Sequence, residues 1–358
     1  MRKTLIIPIV GALGLLIFIF YQYYQTLPAN TPIHGQESNL NSKVSEINTN
    51  TVAEANDESR QAVKNENHSQ SLMKLMNTEL DGSKFEVGVV QSDNFSYTRY
   101  TITYQSDGRT VSGIMNVPKG DGPFPVLFLN HGYIDPAVYT NGRGLKREQD
   151  YLARNGYVVV HSDYRGHALG DPFDDSVYSV QGLGYYNYSL DVLNAIKAVA
   201  DSELSYIDAD RVGLLGHSMG GGVSQNIMVA NPEMVDAVVL FAPVSTNYLD
   251  NFNKWRRPDN NQEQLQILTQ ELGDLSDHET FAAFSSRTYF DLVDDPVLIH
   301  HGTADESVPI EWSRETRDLL LVAGKDVVLD EYKGEYHEFG PDWGLVMERT
   351  LAFFNEHL

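Results

Sequence analysis

The stretch Arg211-Val212-Gly213-Leu214-Leu215-Gly216-His217-Ser218-Met219-Gly220-Gly221-Gly222 decides the fold. Its first half is an apolar run that predicts a buried parallel strand, and residues 222–230 have helical periodicity. Gly-x-Ser-x-Gly at such a junction is typical of a sharp turn from strand to helix, which leaves no room for side chains at positions 216 and 220. The turn presents the hydroxyl of Ser218 at the start of the helix, so we predict Ser218 to be a nucleophile.

Strand and helix patterns alternate on both sides of this junction. Buried strands are predicted at 126–129, 157–161, 212–215, 237–241, 297–299 and 327–329, and helices at 145–154, 189–200, 222–230, 310–322 and 345–355. Before them, 95–104 and 110–117 predict two antiparallel strands joined by the turn Ser106-Asp107-Gly108. The repeated alternation predicts an α/β fold, with a mostly parallel sheet flanked by helices on both faces.

One connection in this pattern is unusually long. The residues between the strands 237–241 and 297–299 exceed what a crossover needs, so we predict that about 248–289 forms a small helical cap insertion over the carboxyl ends of the strands. The cluster Trp255-Arg256-Arg257 within it either contacts substrate or forms a solvated helix face.

A serine nucleophile needs a base, and the base needs an orienting carboxylate. In this architecture the acid precedes the histidine, and each follows a later strand. Asp305 follows the strand 297–299 and His337 follows the strand 327–329, so we predict them to be the acid and the base. Glu306 is the neighbour most able to replace Asp305.

Other acidic residues and histidines are less well placed. Asp294 and Asp295 precede their strand, at the wrong end of the sheet. His300 and His301, at a strand end, and His357, in the last helix, are interpreted as packing residues.

Two backbone amides should bind the negative charge that develops on the substrate carbonyl oxygen. One is the amide of Met219, directly after the nucleophile. The other is predicted from Asn130-His131-Gly132-Tyr133, which follows an early strand. Gly132 permits close approach there, so we predict the Tyr133 amide as the second donor of the oxyanion hole and His131 as a brace for the loop.

Composition narrows the classes of function. The 358 residues contain 26 Lys and Arg against 49 Asp and Glu, a net charge of −23, which argues against nucleic-acid binding. The absence of Cys excludes disulfides, thiolate metal sites and a cysteine nucleophile. We expect neither a metal nor another cofactor. The apolar content of 42% is enough for a sizeable core.

The N-terminal segment has a different composition. Arg2 and Lys3 precede an apolar run at 5–20, so 1–29 is predicted to be a signal anchor or a cleaved signal peptide, with the rest of the chain exported. Residues 30–80 are predominantly polar and are predicted to form a disordered tether. The catalytic domain is then 81–358.

Three motifs together carry a resemblance to a known family. Asp163-Tyr164-Arg165-Gly166-His167, the turn Gly216–Gly221, and His301-Gly302-Thr303-Ala304-Asp305 with Val308-Pro309 resemble the catalytic domain of the prolyl oligopeptidase family of α/β-hydrolases, over Pro118 to Leu358. The resemblance implies cleavage of peptide bonds in short peptides, or of ester bonds as in its relatives, through a serine acyl-enzyme and without metal. It gives Ser218, Asp305 and His337 the catalytic roles, and makes Asp163 and Arg165 structural residues of the loop beneath the site.

The chain departs from the family in one respect. Peptidases of the family usually carry a large β-propeller before the catalytic domain, and the ordered sequence before Pro118 is too short for one. Two alternatives therefore remain open: an extracellular carboxylesterase of the acetyl or feruloyl type, and a non-catalytic binding module with a hydrolase fold.

Overall fold

A twisted sheet, mostly parallel, lies at the centre of the computed structural model, which describes residues 63–172 and 183–358. The strands in these ranges are β1 Glu86–Asp93, β2 Tyr97–Ser106, β3 Arg109–Pro118, β4 Phe124–Asn130, β5 Val158–Ser162, β6 Ile207–His217, β7 Ala237–Phe241, β8 Val297–Gly302 and β9 Val327–Tyr332. Their order across the sheet is β1-β2-β3-β5-β4-β6-β7-β8-β9. β4 to β9 are parallel, and β1, β2 and β3 extend the sheet as antiparallel strands.

Helices cover both faces of this sheet. Outside the insertion the α-helices of the described residues are α1 Leu72–Met76, α2 Lys146–Arg154, α3 Tyr186–Ala200, α4 Met219–Ala230, α5 Ile310–Val322 and α6 Trp343–His357, with 3₁₀ turns at Pro136–Val138, Leu183–Tyr185 and Pro232–Met234. The predicted α/β fold, a mostly parallel sheet flanked by helices on both faces, is confirmed.

Side chains along the buried strands point alternately to the two faces of the sheet and form one hydrophobic core on each face. In β4, Val126 and Phe128 belong to the core beneath α3 and α4, whereas Leu127 and Leu129 belong to the core beneath α2 and α6. Successive side chains of a strand point to opposite faces, so an uninterrupted apolar run is what a strand covered on both faces requires.

The insertion is helical. Its segments are Tyr248–Asn251, a π-helical turn Phe252–Arg256, Arg257–Asp259, Gln262–Leu272, His278–Phe281, Ala282–Phe284 and the 3₁₀ segment Ser286–Leu292. Lys254 lines a cavity together with Gly302 and Asp305, next to the carboxyl end of β8. The role of 248–289 as a cap stays a prediction.

Part of the predicted tether has a defined structure. Residues 63–80 are ordered and contain a helix, so the prediction of disorder is wrong for these residues. The side chain of Ser71 caps α1, and Leu72 and Leu75 are buried in the core. Packing of these two side chains stabilises a helix that is too short to be stable alone, and Asn65 adds hydrogen bonds to the carbonyls of Leu272 and Thr280.

The remaining predictions for the N-terminal segment concern residues 1–62. The signal segment 1–29 and the first part of the tether, 30–62, lie outside the described residues. Within 63–172 and 183–358, no helix has the length and apolar character needed to cross a membrane.

The order of the strands creates a crevice. The chain passes from β4 to β5 on one side and later places β6 on the other side of β4. Crossovers that leave in opposite directions open a gap at the carboxyl ends of the two strands. The loop after β4 and the turn at Ser218 after β6 both begin at this gap.

Candidate active site

Ser218 has the strained backbone that the Gly-x-Ser-x-Gly pattern predicts. It occupies φ 57° and ψ −119° between β6 and α4, a region that costs a residue with a Cβ about 1–3 kcal/mol. Backbone hydrogen bonds hold it there: its amide donates to the Phe241 carbonyl at 3.0 Å, and its carbonyl accepts from the amides of Gly221 at 2.9 Å and Val244 at 3.2 Å. The side chain is half-buried in the crevice.

The flanking glycines are required by close contacts. A Cβ at position 216 would lie 2.4 Å from the Gly220 carbonyl oxygen, and a Cβ at position 220 would lie 1.9 Å from the Asn130 carbonyl oxygen. Neither contact can be relieved by a change of side-chain rotamer, because both involve backbone atoms. The predicted need for glycine at both positions therefore has a steric basis.

The structure brings the predicted base and acid together. His337 Nδ1 lies 2.7 Å from Asp305 Oδ2, across 32 residues of sequence. The carboxylate can only accept, so Nδ1 carries the hydrogen and Nε2 keeps its lone pair. Glu306 does not replace Asp305: it is exposed, and its carboxylate approaches the His337 amide only at 3.5 Å.

Asp305 is held by four donors. In addition to His337, His301 Nε2 lies 3.2 Å from Oδ2, and the amides of Ser307 and Val308 each donate to Oδ1 at 2.8 Å. Burial raises the pKa of this carboxyl, but the hydrogen bonds from His301, His337 and the Val308 amide outweigh burial and lower the pKa below its ordinary value. Asp305 is therefore ionised at neutral pH.

His217, the residue before the serine, connects the turn to the loop of the base. Its Nε2 lies 3.1 Å from the His337 carbonyl oxygen, and the two rings are 4.6 Å apart. Burial lowers the pKa of His217 to about 4, with a smaller contribution from His337, so the ring is neutral at pH 7.

The loop after β4 lies against the serine. A Cβ at Gly132 would be 3.2 Å from the Ser218 Cβ, so the backbone that leads into Tyr133 is next to the nucleophile. His131 braces this loop as predicted: it is buried, it contacts the Gly132 carbonyl through Nδ1 at 2.7 Å, and it stacks on Tyr164 at 4.4 Å. Burial lowers its pKa to about 3. The amide of Met219 begins α4, where it has no acceptor within the helix.

Asp163 organises the loop beneath the site. Its carboxylate accepts from Ser112 at 2.6 Å, from the Tyr139 hydroxyl at 2.9 Å, from the Asn141 side chain at 2.7 Å and from the Gly142 amide at 2.7 Å. These bonds tie the long loop after β4 to the end of β5.

Arg165 has a separate partner that the sequence did not reveal. Its guanidinium meets the Asp191 carboxylate at 2.7 Å, and both side chains are almost completely buried. The Arg165 amide also donates to Asp191, at 2.8 Å.

The remaining predicted residues lie elsewhere or make internal contacts. His300 is buried between the Tyr332 hydroxyl at 2.8 Å and Thr350 Oγ1 at 3.2 Å, which agrees with its interpretation as a packing residue. In the insertion, Trp255 packs edge-on against Trp312 at 5.7 Å and the Arg257 guanidinium lies over Phe252 at 5.0 Å.

Two histidines of the site were missed by the sequence analysis. His301 was interpreted as a packing residue and His217 was given no role, yet both bond to the predicted acid or base. The available signal was position alone: His301 precedes Asp305 by four residues within one turn, and His217 directly precedes Ser218. No arrangement of three or more potential metal ligands is found in the part of the chain that the structure describes.

Comparison with known proteins places this site in a family. Residues 143–358 match the family model described as "Prolyl oligopeptidase family". Among curated relatives, the chain is 29% identical to prolyl endopeptidase FAP of Mus musculus over 52% of its own length, and 27% identical to the uncharacterized peptidase YuxL of Bacillus subtilis over 64%. The match covers 23% of the first relative and 34% of the second, so the chain spans about a quarter of the one and about a third of the other.

Solved structures support the fold at lower identity. The uncomplexed Pyrococcus horikoshii acylaminoacyl peptidase aligns with a TM-score of 0.58 at 22% identity, over 74% of this chain and 42% of that one. An acetyl xylan esterase from Paenibacillus sp. R4 aligns with a TM-score of 0.61 at 18% identity, over 87% of this chain and 100% of that one.

The family model covers more than half of the 358 residues and includes Ser218, Asp305 and His337. This match confirms the resemblance drawn from the three sequence motifs: the chain belongs to the prolyl oligopeptidase family of α/β-hydrolases.

Proposed function

We propose that the protein is a serine hydrolase that cleaves peptide or acyl-ester bonds through an acyl-enzyme on Ser218. The observation that carries this proposal is the contact of 2.7 Å between His337 Nδ1 and Asp305 Oδ2, which leaves Nε2 as the basic nitrogen. A non-catalytic binding module would have no need for a buried, fourfold hydrogen-bonded carboxylate beside that histidine.

In the proposed mechanism, Ser218 Oγ attacks the carbonyl carbon of the substrate while His337 Nε2 accepts its proton. The amides of Met219 and Tyr133 donate to the oxygen that becomes negative. Asp305 stabilises the imidazolium through Nδ1–H, and the imidazolium then protonates the leaving amine or alcohol. Water releases the acyl group in the second half of the reaction, again with His337 as base.

The charges near the site bear on the charge of the substrate. A cavity of about 280 Å³ beside Asp305 is lined by Lys254 and by Glu306 and Glu311, so it holds more acidic than basic groups. Together with a net charge of −23, this lining disfavours strongly anionic substrates.

An ester substrate is the second candidate. The alignment with the acetyl xylan esterase extends over that enzyme's whole chain, whereas the peptidase relatives are matched over a minor part of theirs. Peptidase and carboxylesterase activity are therefore measured in the same experiment.

The test compares hydrolysis of p-nitrophenyl acetate with that of aminoacyl and peptidyl p-nitroanilides, using the wild-type chain and Ser218→Ala. We expect Ser218→Ala to lose activity by a factor on the order of 10⁶, as when a serine nucleophile is removed. Labelling by a fluorophosphonate should occur in the wild type and disappear in the variant. A rate above one tenth of wild type in Ser218→Ala, in folded protein, would refute the mechanism.

We also propose that the catalytic domain is exported and tethered to a membrane by residues 1–29. The basic pair Arg2 and Lys3 before the apolar run 5–20 supports this orientation. Fractionation of expressing cells, followed by protease treatment of intact cells, tests it: recovery of the protein in the soluble internal fraction would contradict the proposal.

A further inference from the structure

We propose that His301 is a positioning residue that aligns Asp305 with His337, an inference that rests on the proposed function. His301 lies in β8 and is fully buried. Its imidazole contacts three groups: Ser313 Oγ at 2.7 Å from Nδ1, and the Val308 carbonyl oxygen at 3.1 Å and Asp305 Oδ2 at 3.2 Å from Nε2.

These contacts determine which nitrogen of His301 carries the hydrogen. The Val308 carbonyl can only accept, so Nε2 must be the protonated nitrogen of the neutral ring. Nδ1 then accepts the hydroxyl hydrogen of Ser313, which is itself buried in α5. The Nε2–H group therefore donates to the Val308 carbonyl and also lies 3.2 Å from the Asp305 carboxylate.

The arrangement places two imidazoles on one oxygen of Asp305. Oδ2 receives His301 Nε2 at 3.2 Å and His337 Nδ1 at 2.7 Å, while Oδ1 receives backbone amides. A carboxylate held only by the amides on Oδ1 would be free to rotate Oδ2 away from His337. The His301 contact opposes that rotation, and it supplies a hydrogen bond to a buried charge.

The chain offers a matched control in the neighbouring residue. His300 is equally buried in the same strand, but it bonds to Tyr332 and Thr350 on the other face of the sheet and makes no hydrogen bond to Asp305 or His337. His300→Leu therefore reports the cost of removing a buried imidazole from β8, without changing the contacts of the catalytic acid.

The experiment measures kcat and KM, with whichever p-nitrophenyl ester or anilide the wild type hydrolyses, for His301→Leu, His301→Gln and His300→Leu. We expect kcat of His301→Leu to fall about 10- to 100-fold, as for loss of one hydrogen bond to a charged group, with KM changed less than about twofold. The amide nitrogen of glutamine can occupy the place of Nε2, so His301→Gln should recover most of the loss. His300→Leu should keep the wild-type kcat.

Wild-type kcat in His301→Leu, an equal loss in His300→Leu, or no recovery in His301→Gln would each overturn the inference. If His301→Leu does not fold, His301→Gln and Ser313→Ala decide. Ser313→Ala keeps the imidazole but removes the hydroxyl that fixes its tautomer. It should lower kcat by a smaller factor than expected for His301→Leu, and an unchanged kcat would count against the inference.

Ser218→Ala in the same assay separates the two levels of the argument. Activity that survives in Ser218→Ala refutes the proposed function, whatever the His301 variants do. An inactive Ser218→Ala combined with a fully active His301→Leu refutes only the role of His301.

Discussion

His217 joins two segments that must keep a fixed distance if Ser218 is to pass its proton to His337. The imidazole belongs to the serine turn by sequence and bonds to the His337 carbonyl at 3.1 Å. Burial keeps its pKa at about 4, so it remains a neutral donor while His337 becomes charged during the reaction. A protonated His217, 4.6 Å from the imidazolium ring, would instead repel it.

Replacing His217 by phenylalanine keeps a planar ring in the same place and removes the donor. We expect His217→Phe to lower kcat about tenfold, because the His337 carbonyl loses a buried hydrogen bond and the loop of the base is less well fixed. His217→Gln keeps a donor and should lose less. Steady-state kinetics of both variants check this, and a kcat for His217→Phe at or above that of His217→Gln would contradict it.

At the scale of secondary-structure elements, α3 is attached to the loop after β5 by a buried ion pair. Arg165 and Asp191 meet at 2.7 Å, and Ser106 of β2 donates to the same carboxylate at 2.7 Å. A charge in this position is tolerated only because each partner neutralises the other. The contact therefore couples α3, β2 and the loop that begins at Asp163.

Asp191→Ala removes the buried partner and leaves the buried Arg165 guanidinium with the exposed carboxylate of Asp107, 3.4 Å away. We expect a loss of about 3–5 kcal/mol in the free energy of unfolding. The exposed pair of Lys197 with Asp201, on the same helix and also at 2.7 Å, provides the control: Lys197→Ala should cost less than about 1 kcal/mol. Urea denaturation measures the stability of both variants. Similar losses in the two would contradict the conclusion that the buried pair matters more than the exposed one.

The elements predicted most closely from sequence are the central strands that are buried on both faces. Their apolar runs have no polar interruption, as in Ala237–Phe241, whose bounds agree at both ends. β6 was predicted only in its buried second half, because its first residues, from Ile207, are partly exposed. β1 was missed because all eight of its residues are exposed at the sheet edge, so no apolar pattern marks it. It is held by its ladder with β2, which a single-sequence pattern does not show.

The same reasoning applies to the site. Ser218 could be predicted because its strained turn requires glycines only two positions away, at 216 and 220. The pairing of Arg165 with Asp191 depends on a contact across 26 residues that no local pattern marks. Likewise, His301 has the same sequence context as His300, and only the direction in which each side chain leaves β8 separates the two.

At the scale of the whole molecule, the excess of acidic residues produces repulsion at the amino ends of β7 and β8, far from the crevice. Val238 of β7 pairs with Val297 of β8. Asp236 and Asp295 precede these two residues by two positions each, so they are neighbours on adjacent strands. Asp295 is buried, and within the described residues no donor reaches its Oδ2 atom. Burial, and then the charges of Asp236 and Asp294, raise its pKa from 3.8 to about 8.

The raised pKa of Asp295 determines how the free energy of unfolding changes with pH. Between pH 3.8 and about 8 the folded protein keeps a proton on Asp295 that the unfolded chain releases, so the free energy of unfolding falls as pH rises and levels off above pH 8. Asp295→Asn removes the effect. The variant should be more stable than wild type, by a margin that grows with pH at up to about 1.4 kcal/mol per unit and is greatest above pH 8.

Asp294→Asn is the matched control, because the Asp294 side chain is 80% exposed and its neutralisation removes the same formal charge. Urea unfolding of the wild type, Asp295→Asn and Asp294→Asn at pH 5 and pH 8.5 measures the difference. The expected result is a stabilisation that is larger for Asp295→Asn than for Asp294→Asn and larger at pH 8.5, because burial is the main cause of the raised pKa of Asp295 and the charge of Asp294 is a smaller one. Equal stabilisation by both variants would instead assign the effect to net charge, and a larger effect at pH 5 would contradict the raised pKa.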